Sequence, residues 1–273
     1  GRIDSLSLAE LLVELEAASG ARLGPELLRD VDAIDTVEAI VSTLRGEGRA
    51  AAERPTPPPQ SADQIPLLYG PVQARRTRGL WSRYYALLFR RKGIACGPGL
   101  EVLGPLVLQI DGPASNIRIG KNVTLMPGAH LKNRGNGRLV LGDGVKLDSG
   151  ARVVVANDAR LELGQDVVLG MGTVVNAGAD VIFGRGSFSA AHCVVNASDH
   201  EMRAGEPMRR QGYDHAPILI GEDVWLGAGA LVSKGSRIGN GAVISAASVV
   251  SGDVPAGAVV QGAPARVIKF RHA

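Results

Sequence analysis

The sequence predicts a mainly β protein, a triangular parallel solenoid preceded by a short helical segment, and three observations carry that reading. Glycine supplies 36 of the 273 residues while aromatics supply only 4%; a layered globular core leans on Phe, Tyr and Trp, whereas tightly turning repeat coils consume Gly and small β-branched residues. From residue 94 onward an aliphatic residue, often followed by Gly, recurs every six positions. Three such sixes close one coil of a prism, and each inward aliphatic is buried only when a coil lies above and below it.

The register can be followed along the chain. Ile119-Gly120, Leu125 and Leu131 form one set, Leu141-Gly142, Leu147 and Val153 a second, Leu163-Gly164, Leu169-Gly170 and Val175 a third. Phe183-Gly184, Ser189 and Val195 continue it, then Ile220-Gly221, Leu226-Gly227, Val232, Ile238-Gly239, Ile244 and Val250. The first sets begin at 119, 141 and 163, so four residues beyond three sixes bulge at a corner, as in "NRGNGR". A sandwich of scattered strands would not hold a six-residue register over this length.

Ahead of the repeats, residues 4–18 place Leu6, Leu8, Leu11, Leu12 and Leu15 at helical spacing, with Asp4 or Ser5 as N-cap. Two further helical patterns follow to residue 45, and residues 46–70 read as a Pro/Ala-rich linker. Residues 71–93 hold a basic amphipathic helix with Leu80, Tyr84, Leu87 and Leu88 on one side, and residues 94–270 form the solenoid. Charge is segregated: Arg2 to Arg45 carries nine acids and four bases, whereas Arg75 to Lys92 carries seven bases and no acid.

Some function classes are disfavoured. The net charge of +3 comes without a basic stripe or base-reading motif, so no nucleic-acid partner is expected. Cys96 and Cys193 lack metal or redox spacing and follow no secretory leader, which predicts reduced thiols in a cytoplasmic protein. No run approaches the ~18 apolar residues of a transmembrane helix. The register breaks once, at residues 196–217, "NASDHEMRAGEPMRRQGYDHAP". A long excursion from a regular scaffold is where a site is expected, and this one begins with His200.

The segment from "SDHEMRAGEP" through "IGEDVWLGAGA", "ISAASVVSGDVP" and "GAPARVIK" resembles the C-terminal half of left-handed β-helix (hexapeptide-repeat) acyltransferases, in particular the sugar O-acetyltransferase branch. The resemblance implies a homotrimer with a thioester donor in the groove between neighbouring prisms. It implies His200 as general base, since imidazole titrates near neutrality. It also implies the Ala228 N–H as oxyanion donor, Asn176 as an acceptor-positioning group, and Ala246 as a backbone partner of the pantetheine arm. Where relatives carry lysine near the coenzyme A phosphates, this chain reads Ser251-Gly252-Asp253-Val254-Pro255, leaving Arg266 and Lys269 as the cations available there. No metal is expected, because His192, His200 and His215 lack the spacing of the zinc-binding hexapeptide-repeat enzymes. His130, His192 and His215 are read as structural or acceptor-lining, and Trp225 as a packing residue at a coil corner.

The N-terminal "IDSLSLAELLVELEAASGARL" resembles the second helix of acyl carrier proteins, and "DAIDTVEAIVSTL" their last helix. This implies a partial carrier domain over residues 1–45, lacking its first helix, with 4′-phosphopantetheine attached covalently to Ser5. A phosphopantetheinyl transferase and an acyl-loading enzyme would then be partners. The joint expectation is acyl transfer from a thioester, on Ser5 or on acyl-CoA, to a hydroxyl or amine of a sugar or other small molecule. Two alternatives stand beside it: a CoA-dependent O-acetyltransferase whose carrier presents the acceptor, and a non-catalytic trimeric scaffold.

Overall fold

The computed structural model describes residues 78–271. The carrier-like segment, the linker and Ser5 lie outside the described residues. The rest is one helix, Arg78–Lys92, followed by a parallel β-helix whose coils visit three sheets in turn. Ile117–Ile119 belongs to sheet A, Thr124–Leu125 to sheet B and His130–Asn133 to sheet C, before Arg138–Leu141 returns to sheet A.

The six-residue register predicts the interior. Ile119, Leu125, Leu131, Leu141, Leu147, Val153, Leu163, Leu169 and Val175 are all buried, as are Ile220, Leu226, Val232, Ile238, Ile244 and Val250. Inward and outward positions alternate along each strand, as in Arg138–Leu141, where Leu139 and Leu141 point in. Vertical register is strict, with Ile117, Leu139, Leu161, Val181 and Ile218 stacked as successive partners. In the matching column of sheet B, which runs Leu125, Leu147, Leu169, Ser189 and Leu226, Ser189 is the polar member. Its buried hydroxyl accepts from the Gly170 N–H at 3.0 Å and shares a 3.0 Å hydrogen bond with the Thr173 hydroxyl, so its burial leaves no orphan group.

Glycine after the inward aliphatic has a steric cause. A Cβ on Gly227 would lie 2.6 Å from the Ala246 nitrogen and 2.8 Å from the Ile244 oxygen of the next coil. The coils approach too closely at that corner for any side chain there.

Both ends of the solenoid would expose unpaired strand groups, a liability in any repeat array. At the N-terminal end the helix covers them. The Ser82 hydroxyl accepts from the Val102 N–H at 2.9 Å and the Tyr85 hydroxyl accepts from the Leu106 N–H at 2.7 Å. Phe89 and Tyr85 are the helix residues buried in the core, Phe89 completely. Gly93 closes the helix with φ +78°, and the Ile94 N–H donates to the Phe89 carbonyl at 2.9 Å. The apolar side read from the sequence is therefore not the packed side: Leu80, Tyr84 and Leu87 face solvent, and only Leu88 of that set is partly buried. At the C-terminal end, Ala265–Phe270 folds back antiparallel on Ala258–Gly262. Among the described residues no helix is long and apolar enough to cross a membrane.

Phe89→Ala removes the largest fully buried side chain of the helix, and a loss of ~3–5 kcal/mol is expected. Urea unfolding with tryptophan emission measures it; an unchanged midpoint would show that the helix is not part of the cooperative unit.

Candidate functional site

Chain 196–217 leaves sheet C after Val194–Asn196 and returns to sheet A at Ile218. It is an antiparallel hairpin, with Ser198 opposite His215, Asp199 opposite Asp214 and His200 opposite Tyr213. Because successive side chains of a strand alternate, these pairs sort onto two faces.

One face is a tether. Asp199 and Asp214 both meet Lys234 of the next coil, Asp199 at 3.5 Å and Asp214 in a close hydrogen bond. The hydrogen bond to Asp214 is the main reason the Lys234 ammonium is held above its usual pKa range. The other face carries rings. His200 lies against Tyr213, centroids 4.3 Å apart, and Tyr213 stacks near-parallel on His215 at 5.8 Å. His215 Nδ1 is 2.8 Å from the Ser198 hydroxyl, and its Nε2 is 3.4 Å from Nδ2 of Asn157. The Asn157 amide also donates to the Gly178 carbonyl at 2.9 Å. With Asn157 as donor, Nε2 accepts and the neutral ring of His215 carries its proton on Nδ1, directed at Ser198. His215 is thus committed on both nitrogens, whereas neither ring nitrogen of His200 has a partner among the described residues. His200 is exposed.

The loop beyond the hairpin stem is ordered around one side chain. Gln211, 6% exposed, accepts from the Arg203 N–H at 2.6 Å and donates to the carbonyls of Arg203 at 3.0 Å and Glu206 at 2.8 Å. Arg203 forms ion pairs with Glu201 at 3.1 Å and Glu206 at 3.4 Å. Beside the stem an open hollow of about 650 Å³ is lined by Asn157, Gly178, Asp180 and His215.

The expected site residues fall into two groups. Asn176 is in register with Asn196 on sheet C, and its carbonyl accepts from the Ala197 N–H at 3.0 Å, which sets it at the C-to-A edge beside the hairpin stem. Ala228 and Ala246 lie at the B-to-C edge on consecutive coils, joined by the Ala247 N–H to Ala228 carbonyl bond of 2.8 Å. Their own N–H groups, and that of Ala191 one coil earlier, have no acceptor among the described residues. Arg266 extends this row: it pairs with Gln261, on the strand stacked above Ser245 and Ala246, while Lys269 pairs with Val259 further back along the strand. Both cations are exposed. The two groups do not meet within the chain. The width of sheet C, about six residues from Ala191 to Ala197, separates them by on the order of 15–20 Å at ~3.3 Å per residue.

His130 and His192 stand apart from both groups. His130 pairs with Arg152 on sheet C, its Nε2 enclosed without a partner, and burial first, then Arg152 and Lys132, lower its pKa. His192 occupies a coil corner at φ +58°. Trp225 packs on the outer face of sheet B, on a strand rather than at a corner: Leu226 takes the inward position, and Trp225 is 44% exposed and stacked on Phe188 at 6.0 Å. Cys96 and Cys193 are both unpaired thiols. No group of three His, Cys, Asp or Glu side chains among the described residues is disposed to hold a metal. The sequence reading missed Asn157, Gln211, Lys234 and the ring role of Tyr213. A signal was present in the repeated Asp-His pairs, 199–200 and 214–215, which flank the excursion at matching positions.

Fold and site together define a hexapeptide-repeat parallel β-helix with one histidine-bearing hairpin inserted in its coils. No family model matches the chain. A segment of 54 residues, 20% of the chain, is 52% identical to the 2,3,4,5-tetrahydropyridine-2,6-dicarboxylate N-acetyltransferase of Staphylococcus aureus strain JH9, and it covers 23% of that protein. The match to the protein of strain COL is the same. The chain thus spans about a quarter of the length of the curated relatives it matches. Among solved structures, a variant of AntD, an N-acyltransferase from Bacillus cereus, in complex with dTDP and coenzyme A, aligns with TM-score 0.49 and 14% identity over 68% of this chain and 89% of that one. The polySia-specific acetyltransferase NeuO aligns with TM-score 0.44 and 22% identity over 65% and 85%. A hexapeptide-repeat acetyltransferase from Vibrio cholerae, complexed with acetyl coenzyme A, aligns with TM-score 0.40 and 21% identity over 70% and 77%.

Lys234→Met removes the tether while keeping side-chain length. Amide exchange in the hairpin stem, residues 198–215, is expected to accelerate while the coils on either side keep their protection, as hydrogen exchange with mass spectrometry would show. Unchanged exchange in the stem would mean that the ion pairs do not hold it.

Proposed function

We propose that the chain is an acyltransferase that moves an acyl group from a thioester to a hydroxyl or amine of a sugar or other small molecule. The observation that carries this is His200: an exposed imidazole with both nitrogens uncommitted, on a hairpin anchored to a rigid scaffold. In the proposed reaction His200 takes the proton of the acceptor as its oxygen or nitrogen attacks the thioester carbonyl. The tetrahedral oxyanion receives the N–H of Ala228, a contribution of the order of 3 kcal/mol when such a donor is pre-aimed. Collapse expels the thiolate, which takes the proton back from the His200 imidazolium. Asn176 orients the acceptor, Ala246 holds an amide of the pantetheine arm, and Arg266 and Lys269 meet its phosphate.

Since His200 and Ala228 lie on different edges, a complete site needs a second copy, with the hairpin edge of one prism facing the amide edge of its neighbour. Such a heterologous contact closes as a ring, and a three-sided prism suits a homotrimer. The segment matched to an N-acetyltransferase supports acyl transfer as the reaction class.

For the donor we propose an arm on Ser5 of the N-terminal segment. The supporting feature is Ser251-Gly252, where the side chain that would meet a coenzyme phosphate is missing: Gly252 has φ +98° and its N–H bonds the Ser236 hydroxyl at 3.2 Å. Tethering would raise the effective donor concentration. The CoA-dependent reading, with the carrier presenting the acceptor, is the competing one.

His200→Ala is expected to lower kcat by ~10²–10⁴-fold with the fold intact by circular dichroism. A folded variant with undiminished turnover would remove the general-base assignment. Comparison of transfer from Ser5-loaded protein with transfer from free acyl-CoA decides the donor; full activity of Ser5→Ala with acyl-CoA would retire the tethered arm.

A further inference from the structure

The helix Arg78–Lys92 has two faces of different use. Its inner face is spoken for: Tyr85 and Phe89 are buried, and Ser82 and Tyr85 bond the first coil, so the helix cannot rotate to hide its other side. On that other side Leu80, Tyr84 and Leu87, at i, i+4 and i+7, form one stripe, exposed by 70%, 55% and 50%. Trp81, 36% exposed, sits at its border, edge-on to Tyr84 at 6.2 Å and stacked on the buried Tyr85 at 6.1 Å. Exposed apolar residues scattered singly need no explanation, but a stripe of this kind on one short helix does. Cations accompany it. Arg83 and Arg90 flank the stripe, Arg91 continues it four residues after Leu87, and none of the three forms an ion pair among the described residues. No acid occurs anywhere from Arg75 to Lys92.

We propose that this face of the helix docks on an anionic phospholipid surface. The chemistry fits that occupant. Trp and Tyr rings settle at headgroup depth, leucines enter the acyl boundary, and guanidinium groups bind lipid phosphates in paired hydrogen bonds. A stripe of this width gives modest apolar affinity by itself, so the anionic headgroups are required: each basic residue close to such a leaflet raises partition about fivefold. The helix covers the open end of the solenoid, so docking there leaves the long edges, with the hairpin and the amide row, accessible to a donor and an acceptor. The inference is independent of the reaction proposed above.

The test is sedimentation of the full chain with vesicles of phosphatidylcholine alone and of phosphatidylcholine with phosphatidylglycerol in a two-to-one ratio. Binding to the mixed vesicles, weakened by salt, is expected, with little binding to phosphatidylcholine alone. Arg83→Glu/Arg90→Glu/Arg91→Glu should reduce partition roughly 100-fold or more. Trp81 and Trp225 are the two tryptophans of the chain, so in Trp225→Phe the emission reports Trp81 alone, and brominated lipid should quench it. That measurement keeps the native helix and decides the matter even if the triple variant fails to fold. No sedimentation with anionic vesicles at low salt, equal binding to phosphatidylcholine, or sedimentation without quenching of Trp81 would each overturn the proposal, the first in favour of an acidic protein surface as the partner.

Discussion

The whole solenoid depends on one constraint: an inward aliphatic is fully buried only when a coil lies beneath it and another above it. Leu139 is buried because Ile117 lies beneath it and Leu161 above it, and the same holds up the column. Stability in such an array is a sum of nearest-neighbour terms, so the terminal coils are the weak points, and the chain covers them with the helix at one end and the antiparallel turn at the other. The helix contributes Phe89 as a plug and two hydroxyl groups as acceptors for strand amides that would otherwise stop at water. At the far end the Ala265–Phe270 strand covers Ala258–Gly262, and Arg271 ties the return to Asp223 at 2.8 Å.

A scaffold with this regularity can bear one large irregularity if both of its ends remain in register. The excursion leaves at Ala197 and re-enters at Ile218, which stacks on Val181 as though nothing had intervened. Its position is then set by two side chains whose roles are local. Lys234 fastens the stem to the following coil, and Gln211 closes the loop on itself by bonding three backbone groups. The division between the histidines follows from the same geometry. His215, near the base, is absorbed by Ser198 and Asn157, and His200, two residues further out, is left uncommitted.

The legibility of the sequence follows the same division. The interior was readable because burial repeats: one aliphatic every six residues, with glycine where neighbouring coils leave no space for a Cβ. The location of the excursion was readable as a break in that pattern. Its internal structure was not, since hairpin pairing depends on which residues face each other across twelve to sixteen intervening positions, and only the paired Asp-His dipeptides hinted at it. Lys234 is unremarkable in sequence and acquires a role only when the next coil brings it under two aspartates. The helix misled in the opposite way. Leu80, Tyr84 and Leu87 form the more obvious apolar stripe, yet Tyr85 and Phe89 are buried, because the first coil offers unpaired amides that a tyrosine hydroxyl can satisfy and a leucine cannot.

The row of unoccupied amides has a further consequence. Ala191, Ala228 and Ala246 present free N–H groups because each occupies the same place in a B-to-C corner, where the neighbouring residue bonds the coil below and this one points outward. Such donors are a product of the fold but do not occur on every coil: at the same place Pro127 has no N–H, and the Ser149 N–H bonds the Asp148 carboxylate at 2.7 Å. What distinguishes one of them is the group that stands opposite. In the proposed reaction one member of this row serves as the oxyanion donor, and the placement of the hairpin selects the level at which a proton acceptor meets it. In the proposed reaction that level is set by the coil from which residues 196–217 depart, and Lys234 holds the hairpin stem there.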